Sequence, residues 1–309
     1  MKPLTFIPFT YDTIWAGDQI AKARHCSRIG TSFEMSAHPE GSAKVKNRDG
    51  QPLFIDYLKG REDEILGPGL TEHELQRGAL LAAGVNLSVQ VHPDDAYAQA
   101  HSHDNGKYES WYIIDAMPGA DLVAGTTTAD AETIRRALQD GTLDQYLKTY
   151  PVKKGDFIDI PCGTLHQLRK GILAYEIGSN SNVTYRFYDY DRLGPDGKKR
   201  QLHLKDSFNV ADFSNQAHFV PAEHKSRSLS NSPFYEIEEW YVDADRELVC
   251  GKTYAMITNV EKDPITVKWQ EEGIELDGWS AMLVPYAAGS VIVPAGSHVL
   301  VSRPRKEQG

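Results

Sequence analysis

A chain of 309 residues, 40% hydrophobic and 25% charged, is long enough for one large domain or two of ordinary size. Its 43 acidic and 33 basic residues leave a net charge of -10, which excludes nucleic acid as a general partner but not a local cluster of cations around one phosphate. No apolar run approaches the roughly 20 residues of a membrane helix. The start, Met1-Lys2-Pro3-Leu4-Thr5-Phe6, lacks the apolar region of a signal peptide, so a cytoplasmic protein with no membrane partner is expected. Three scattered cysteines, Cys26, Cys162 and Cys250, suit neither a disulfide framework nor a cysteine-rich zinc site, and Cys162 reads as a small buried residue.

In chain order, Thr71 to Ala83 is a weak helical candidate with Glu74 reinforcing Thr71 as a cap. The stretch Thr128 to Tyr150 carries the stronger helical signal, with Ile134 and Leu138 four apart and Gly141 ending the first helix. Thr142 and Gln145 then resemble a capping box for a short second helix. Strands are predicted at Asp156–Ile160, Leu173–Ile177, Val183–Tyr188, Phe234–Tyr241, Thr253–Val260, Ile265–Trp269, Ala281–Val284 and His298–Ser302. Helices interrupt these strands rather than alternating with them, which disfavours a doubly wound parallel sheet. The polar run Ser214–Ser232 reads as a linker. It separates a domain over 1–220 with helical insertions from a strand-rich domain over 221–309. Val293-Pro294-Ala295-Gly296 echoes Ile160-Pro161-Cys162-Gly163, each preceded by a glycine (Gly289 and Gly155), and this hints at two related β-barrels.

The chemistry concentrates in Leu87-Ser88-Val89-Gln90-Val91-His92-Pro93-Asp94-Asp95. Side chains two apart on a strand share a face, so Gln90 and His92 project together with Val89 and Val91 packing behind. If Glu109 and His166 join them, the set makes a complete metal shell. Each alone is more often a packed histidine or a surface carboxylate. His101, His103 and Asp104 lie in a polar stretch between these positions and read as loop residues.

The spacing Gly155, Pro161, Gly163, His166 resembles the second signature of the cupin superfamily, and Gln90-Val91-His92 resembles its His-X-His with Gln in first place. That replacement resembles the type I mannose-6-phosphate isomerases in their short bacterial form. Supporting segments are Pro93-Asp94-Asp95, Lys107-Tyr108-Glu109, Ile14-Trp15-Ala16-Gly17, Phe33-Glu34-Met35-Ser36-Ala37-His38-Pro39 and Thr184-Tyr185-Arg186-Phe187-Tyr188-Asp189-Tyr190-Asp191-Arg192. The resemblance implies a mainly β fold of two cupin (jelly-roll) barrels, the first with the metal site and the second without. It also implies one Zn2+ per chain on Gln90, His92, Glu109 and His166, a donor set that zinc accepts. Arg186 falls on the catalytic arginine, Lys107 on the active-site lysine, and Ser88 on a phosphate-contacting serine; Glu34 is a further substrate-binding and proton-transfer candidate. The partner is a small sugar phosphate, in a monomer or homodimer.

Departures are local. Arg77-Gly78-Ala79-Leu80-Leu81-Ala82-Ala83-Gly84 lacks the lysine that relatives carry before the Gln-X-His strand, Gly178-Ser179 replaces a glutamine pair, and Phe33 replaces a tryptophan. The implied reaction is interconversion of mannose 6-phosphate and fructose 6-phosphate through a cis-enediol, with Lys107, Glu34 and a metal-held water as acid–base candidates. A non-catalytic or regulatory sugar-phosphate-binding cupin is the first alternative, kept open by the drift near Arg77. A metal-dependent cupin oxygenase is the second, disfavoured by Gln90.

Overall fold

Short β-branched and aromatic runs become strands through most of the chain. The computed structural model, which describes residues 1–194 and 196–305, is mainly β, and the strand pairs that place the site are antiparallel. Two compact units divide the chain: one comprises 1–10, 32–80 and the segment from 223 onward, the other 11–31 and 81–222. The expected 1–220 domain differs from the structure, because 1–10 and 32–80 group with the C-terminal segment. A boundary read from composition cannot detect strands that leave one core and return to another.

In the first unit, a seven-stranded sheet runs in the order Arg227–Asn231, Tyr235–Tyr241, His298–Pro304, Ala255–Asn259, Ala281–Val284, Leu4–Ile7, Lys44–Val45. A four-stranded sheet holds Arg246–Val249, Ser290–Val293, Ile265–Trp269 and Glu272–Leu276. Alternate residues of both sheets, among them Trp240, Leu248, Ile257, Val267, Val284, Val293 and Val301, form a common core.

The second unit carries the site. A five-stranded sheet runs Tyr185–Tyr188, Val89–Val91, His166–Gln167, Asp121–Thr126, Leu147–Pro151. Facing it, Glu109–Ala116 pairs on one side with Phe157–Ile160 and on the other with Ile172–Ser179. Trp111, Ile113, Leu122, Ala124, Ile158 and Ile172 fill the space between these strands. On the outer face Val89, Val91, Val123 and Phe187 pack against Ile134 of the helix Ala131–Gln139. The period of two thus turns the valines outward to a helix and leaves the residues between them to the interior.

Several predicted elements change. Thr71 does form its capping box, with its backbone N–H donating to Glu74 at 2.8 Å, but the helix stops after Glu72–Glu74. Gln76–Ala82 is a strand with every residue buried: the Leu-Ala run has helical propensity, and sheet burial overrides it. Thr142 precedes a 3-10 turn, Leu143–Tyr146, without a side-chain cap. The expected linker contains two strands, His218–Val220 on Phe157–Ile160 and Arg227–Asn231 on Tyr235–Tyr241. Its serines meet partners that composition does not reveal.

The Pro-X-Gly echo is structural. Gly163 and Gly296 adopt φ of 82° and 81°, and the glycines preceding each strand, Gly155 and Gly289, adopt 87° and 80°. The same turn closes in both places, Thr164 N–H to Pro161 O at 3.1 Å and Ser297 N–H to Pro294 O at 3.3 Å. In the left-handed region a glycine avoids the clash that a Cβ brings.

Candidate metal centre

Register places the donors. His166 lies opposite Gln90, and Gln90 lies opposite Arg186 on the next strand, so the three side chains form one row across the interior face. His92 continues the Gln90 face two residues on. Glu109 opens the facing strand Glu109–Ala116, with Ile160 as its register partner. The proline turn after Ile160 then returns the chain as the His166 strand, and its Gly163 N–H donates to His92 O at 2.8 Å. One short turn therefore ties two histidines together.

His92, Glu109 and His166 are all buried, with one ligand atom from each lying within 4.8 Å of the others. Glu109 Oε1 is 2.9 Å from His166 Nε2, and Oε2 is 3.4 Å from His92 Nε2. The Gln90 carboxamide reaches His166 Nε2 at 3.1 Å. Each imidazole is held from behind: His92 Nδ1 is 2.7 Å from Val183 O, and His166 Nδ1 is 2.8 Å from Thr164 O. A carbonyl accepts only from N–H, so both rings carry the proton on Nδ1 and aim the Nε2 lone pair inward. His92 Nε2 has no hydrogen-bond partner despite complete burial. An orphaned lone pair beside an imidazole, a carboxylate and an amide fits a divalent cation.

The electrostatics agree. Burial first, then the nearby Lys107 charge, pushes the His92 imidazole down to about 3, so it stays neutral and able to ligate. Burial alone would raise the Glu109 carboxyl. The Lys107 ammonium beside it is the largest opposing influence, and Glu109 is held well below the carboxylate range.

Lys107 is buried, with its Nζ 2.8 Å from Glu109 Oε2 and 3.2 Å from Glu176 Oε1. Glu176 is the residue sequence reasoning missed. Its signal was a lone carboxylate inside the apolar run Ile172-Leu173-Ala174-Tyr175-Glu176-Ile177. Arg186 donates from Nη1 to Gln201 O at 2.8 Å, and its Nε is buried without a partner. Ser88 is buried two residues before Gln90.

The remaining expected residues have contacts of their own. Glu34 belongs to the first unit, where its carboxylate accepts from Ser32 at 2.6 Å and Ser280 at 3.2 Å. Arg77, in that same unit, lies over the Phe33 ring at 4.5 Å. His101 is not a loop residue: it lies in the last turn of the helix Asp95–Ser102 and stacks on Tyr97, while His103 caps that helix and Asp104 accepts from Asn182 N–H. Burial raises the Cys162 thiol to about 12, which keeps it unreactive.

A mainly β protein with a buried imidazole–carboxylate centre is the class that fold and site define. No protein-family model matches the chain. It is 32% identical to a mannose-6-phosphate isomerase of Streptococcus mutans over 83% of this chain and 84% of that protein. It is 30% identical to mannose-6-phosphate isomerase ManA of Bacillus subtilis over 97% of this chain and 98% of that protein. A crystal structure of the mannose 6-phosphate isomerase from Bacillus subtilis superposes with a TM-score of 0.86 at 25% identity, covering 98% of this chain and all of the other. The chain belongs to the mannose-6-phosphate isomerase family and is an isomerase.

Proposed function

We propose that this enzyme holds one zinc ion on Gln90, His92, Glu109 and His166 and interconverts mannose 6-phosphate and fructose 6-phosphate through a cis-enediol. The observation that carries the reading is the pair of Nδ1-anchored histidines facing Glu109 in a buried, partly unsatisfied cluster. Zinc there would polarise the sugar carbonyl and acidify the adjacent C–H. Two neutral imidazoles, a neutral amide and one carboxylate leave positive charge at the centre, which suits a reaction that builds an anionic oxygen.

The chain's own groups supply the rest. Lys107, gripped between Glu109 and Glu176, is positioned to carry a proton between C2 of the aldose and C1 of the ketose. Arg186, one strand from Gln90, offers a permanently charged guanidinium for the developing oxyanion or the phosphate. Ser88 shares the Gln90 face and contacts the phosphate. Glu34 already accepts from two serines in the other unit, which favours Lys107 over it for proton transfer. The two units are read as two cupin barrels, an assignment the repeated Pro-X-Gly turn supports. We place the enzyme in the cytoplasm.

The family membership favours isomerisation over a binding-only role or an oxygenase. A coupled assay with mannose 6-phosphate on zinc-loaded protein, with EDTA-treated protein as control, tests it. Turnover should require the metal and return with zinc; equal turnover in both samples would sink the reading.

A further inference from the structure

A second concave site lies in the unit that carries the metal donors. It is a cavity of about 450 Å³, lined by Leu138, Tyr188, Arg192, Lys199, Arg200 and Leu202 among others. That volume suits a small ligand. Neither Gln90, His92, Glu109 and His166 nor Lys107 lines it. Tyr185–Tyr188 is the edge strand of its sheet. Leu138 lies in the last turn of the helix that packs on Val89 and Val91, the face opposite Gln90. The cavity therefore sits at the sheet edge, on the helix-bearing side.

Its charge is unbalanced. Asp189 is buried and is shared by two guanidiniums, accepting from Arg192 Nε at 3.1 Å and Arg200 Nε at 2.7 Å. One carboxylate neutralises only one of them. Arg186 adds a third guanidinium close enough that Arg200 acts, after burial, to lower its pKa. Lys199 pairs with Asp191 at 2.8 Å, but both side chains are more than half exposed, so water and salt screen that pair. Arg200 spends Nε and Nη2 on Asp189, and Nη1 takes no part in those bonds. On a chain of net charge -10, this is a local surplus of positive charge.

The walls are apolar. Leu202 and Leu204 are 37% and 36% exposed, and with Leu138 they line the same cavity as the cations. Leucines left open beside paired guanidiniums fit a ligand with an anionic end and an apolar body.

We propose that this cavity binds a small organic phosphate, its anion held by Lys199 and Arg200 and its body by Leu138, Leu202 and Leu204, at a site separate from the metal centre. A phosphate carries nearly the charge that the surplus lacks, and guanidinium geometry suits its oxygens. The segment behind the cavity also anchors Arg186, through Gln201 O at 2.8 Å and His203 Nδ1 at 3.0 Å, so occupancy has a direct structural path to that residue.

Isothermal titration of EDTA-treated full-length protein with phenyl phosphate and with inorganic phosphate tests the site independently of isomerase activity. Phenyl phosphate should bind once per chain, at least fivefold more tightly than inorganic phosphate. Lys199→Gln and Arg200→Gln should each weaken it at least fivefold, and Leu202→Ser should weaken phenyl phosphate but not inorganic phosphate. Lys199 is exposed, so its variant folds as the parent does and should keep isomerase turnover unchanged. Absence of binding would overturn the proposal. So would binding that ignores both cation variants and is displaced by mannose 6-phosphate, because that would place the anion at the metal centre.

Discussion

At the scale of single residues, the chemistry is decided by which ring nitrogen carries a proton. Val183 O and Thr164 O take the Nδ1 protons of His92 and His166, so both Nε2 atoms are left as donors to a cation. The cost of burying His92 neutral shows in its pH dependence. In the metal-free folded protein it resists protonation down to about 3, whereas in the unfolded chain it takes a proton near 6.5. The unfolded state binds more protons between those values, so stability rises with pH across that window and is fully present above about 6.5. Glu109, held low when folded, acts in the same direction below 4.5. The melting temperature of EDTA-treated protein should therefore fall from pH 7 to pH 5; an unchanged value would contradict a neutral buried His92. The Arg186 guanidinium donates to Gln201 O and its backbone N–H to His203 Nδ1, not to a metal donor. Arg186→Ala should reduce kcat by about 100-fold or more, as for loss of a charged oxyanion partner, while zinc content by atomic absorption stays at the parental level.

At the scale of elements, the turn Pro161-Cys162-Gly163 does more than reverse the chain. It joins the Phe157–Ile160 strand to His166 and donates a backbone hydrogen bond to His92 O. Gly163 has φ of 82°, and a Cβ there would meet Val210 O at 2.8 Å. Gly163→Ala should cost about 1–3 kcal/mol from the left-handed backbone and the contact together. Because the displaced turn carries His166, zinc affinity should fall in the same variant, measured by chelator competition. The matching Gly296, with nothing within 4 Å of its Cβ position, gives the control: Gly296→Ala should lose stability from φ alone and keep its zinc. The strand Gln76–Ala82 teaches a different lesson at this scale. Its Leu80-Leu81-Ala82 is a good helix former in isolation, and the sheet takes it because burial of a whole strand outweighs a few tenths of a kcal/mol per residue of propensity.

At the scale of the whole molecule, all four candidate metal donors come from one of the two units, 11–31 with 81–222. An ion that binds the folded chain alone stabilises it by about 2.7 kcal/mol at 100 times its dissociation constant. If the proposed zinc is bound, EDTA should therefore lower the melting temperature by several degrees, with full recovery on adding zinc back. The net charge of -10 is spread unevenly, and the surplus of cations around Asp189 is a local exception to it. No helix among the described residues is long and apolar enough to cross a membrane.

The candidate donor set Gln90, His92, Glu109 and His166 is implied by a family resemblance, and the motifs that carry the resemblance are local patterns of spacing and residue type. Gln90 and His92 share a strand face by the period of two, and Gly155, Pro161, Gly163 and His166 mark a turn whose glycine must accept a positive φ. These are local constraints, and local constraints are written in order along the chain. Tertiary structure alone decided that Lys107 is shared between Glu109 and Glu176, that Glu34 is spent on Ser32 and Ser280, and that residues 1–10 and 32–80 belong with the C-terminal segment. Lys107 meets Glu176 across 69 positions and Glu34 meets Ser280 across 246. Such pairings are selected by burial and charge compensation once the sheets have formed, and no period or motif in the sequence records them.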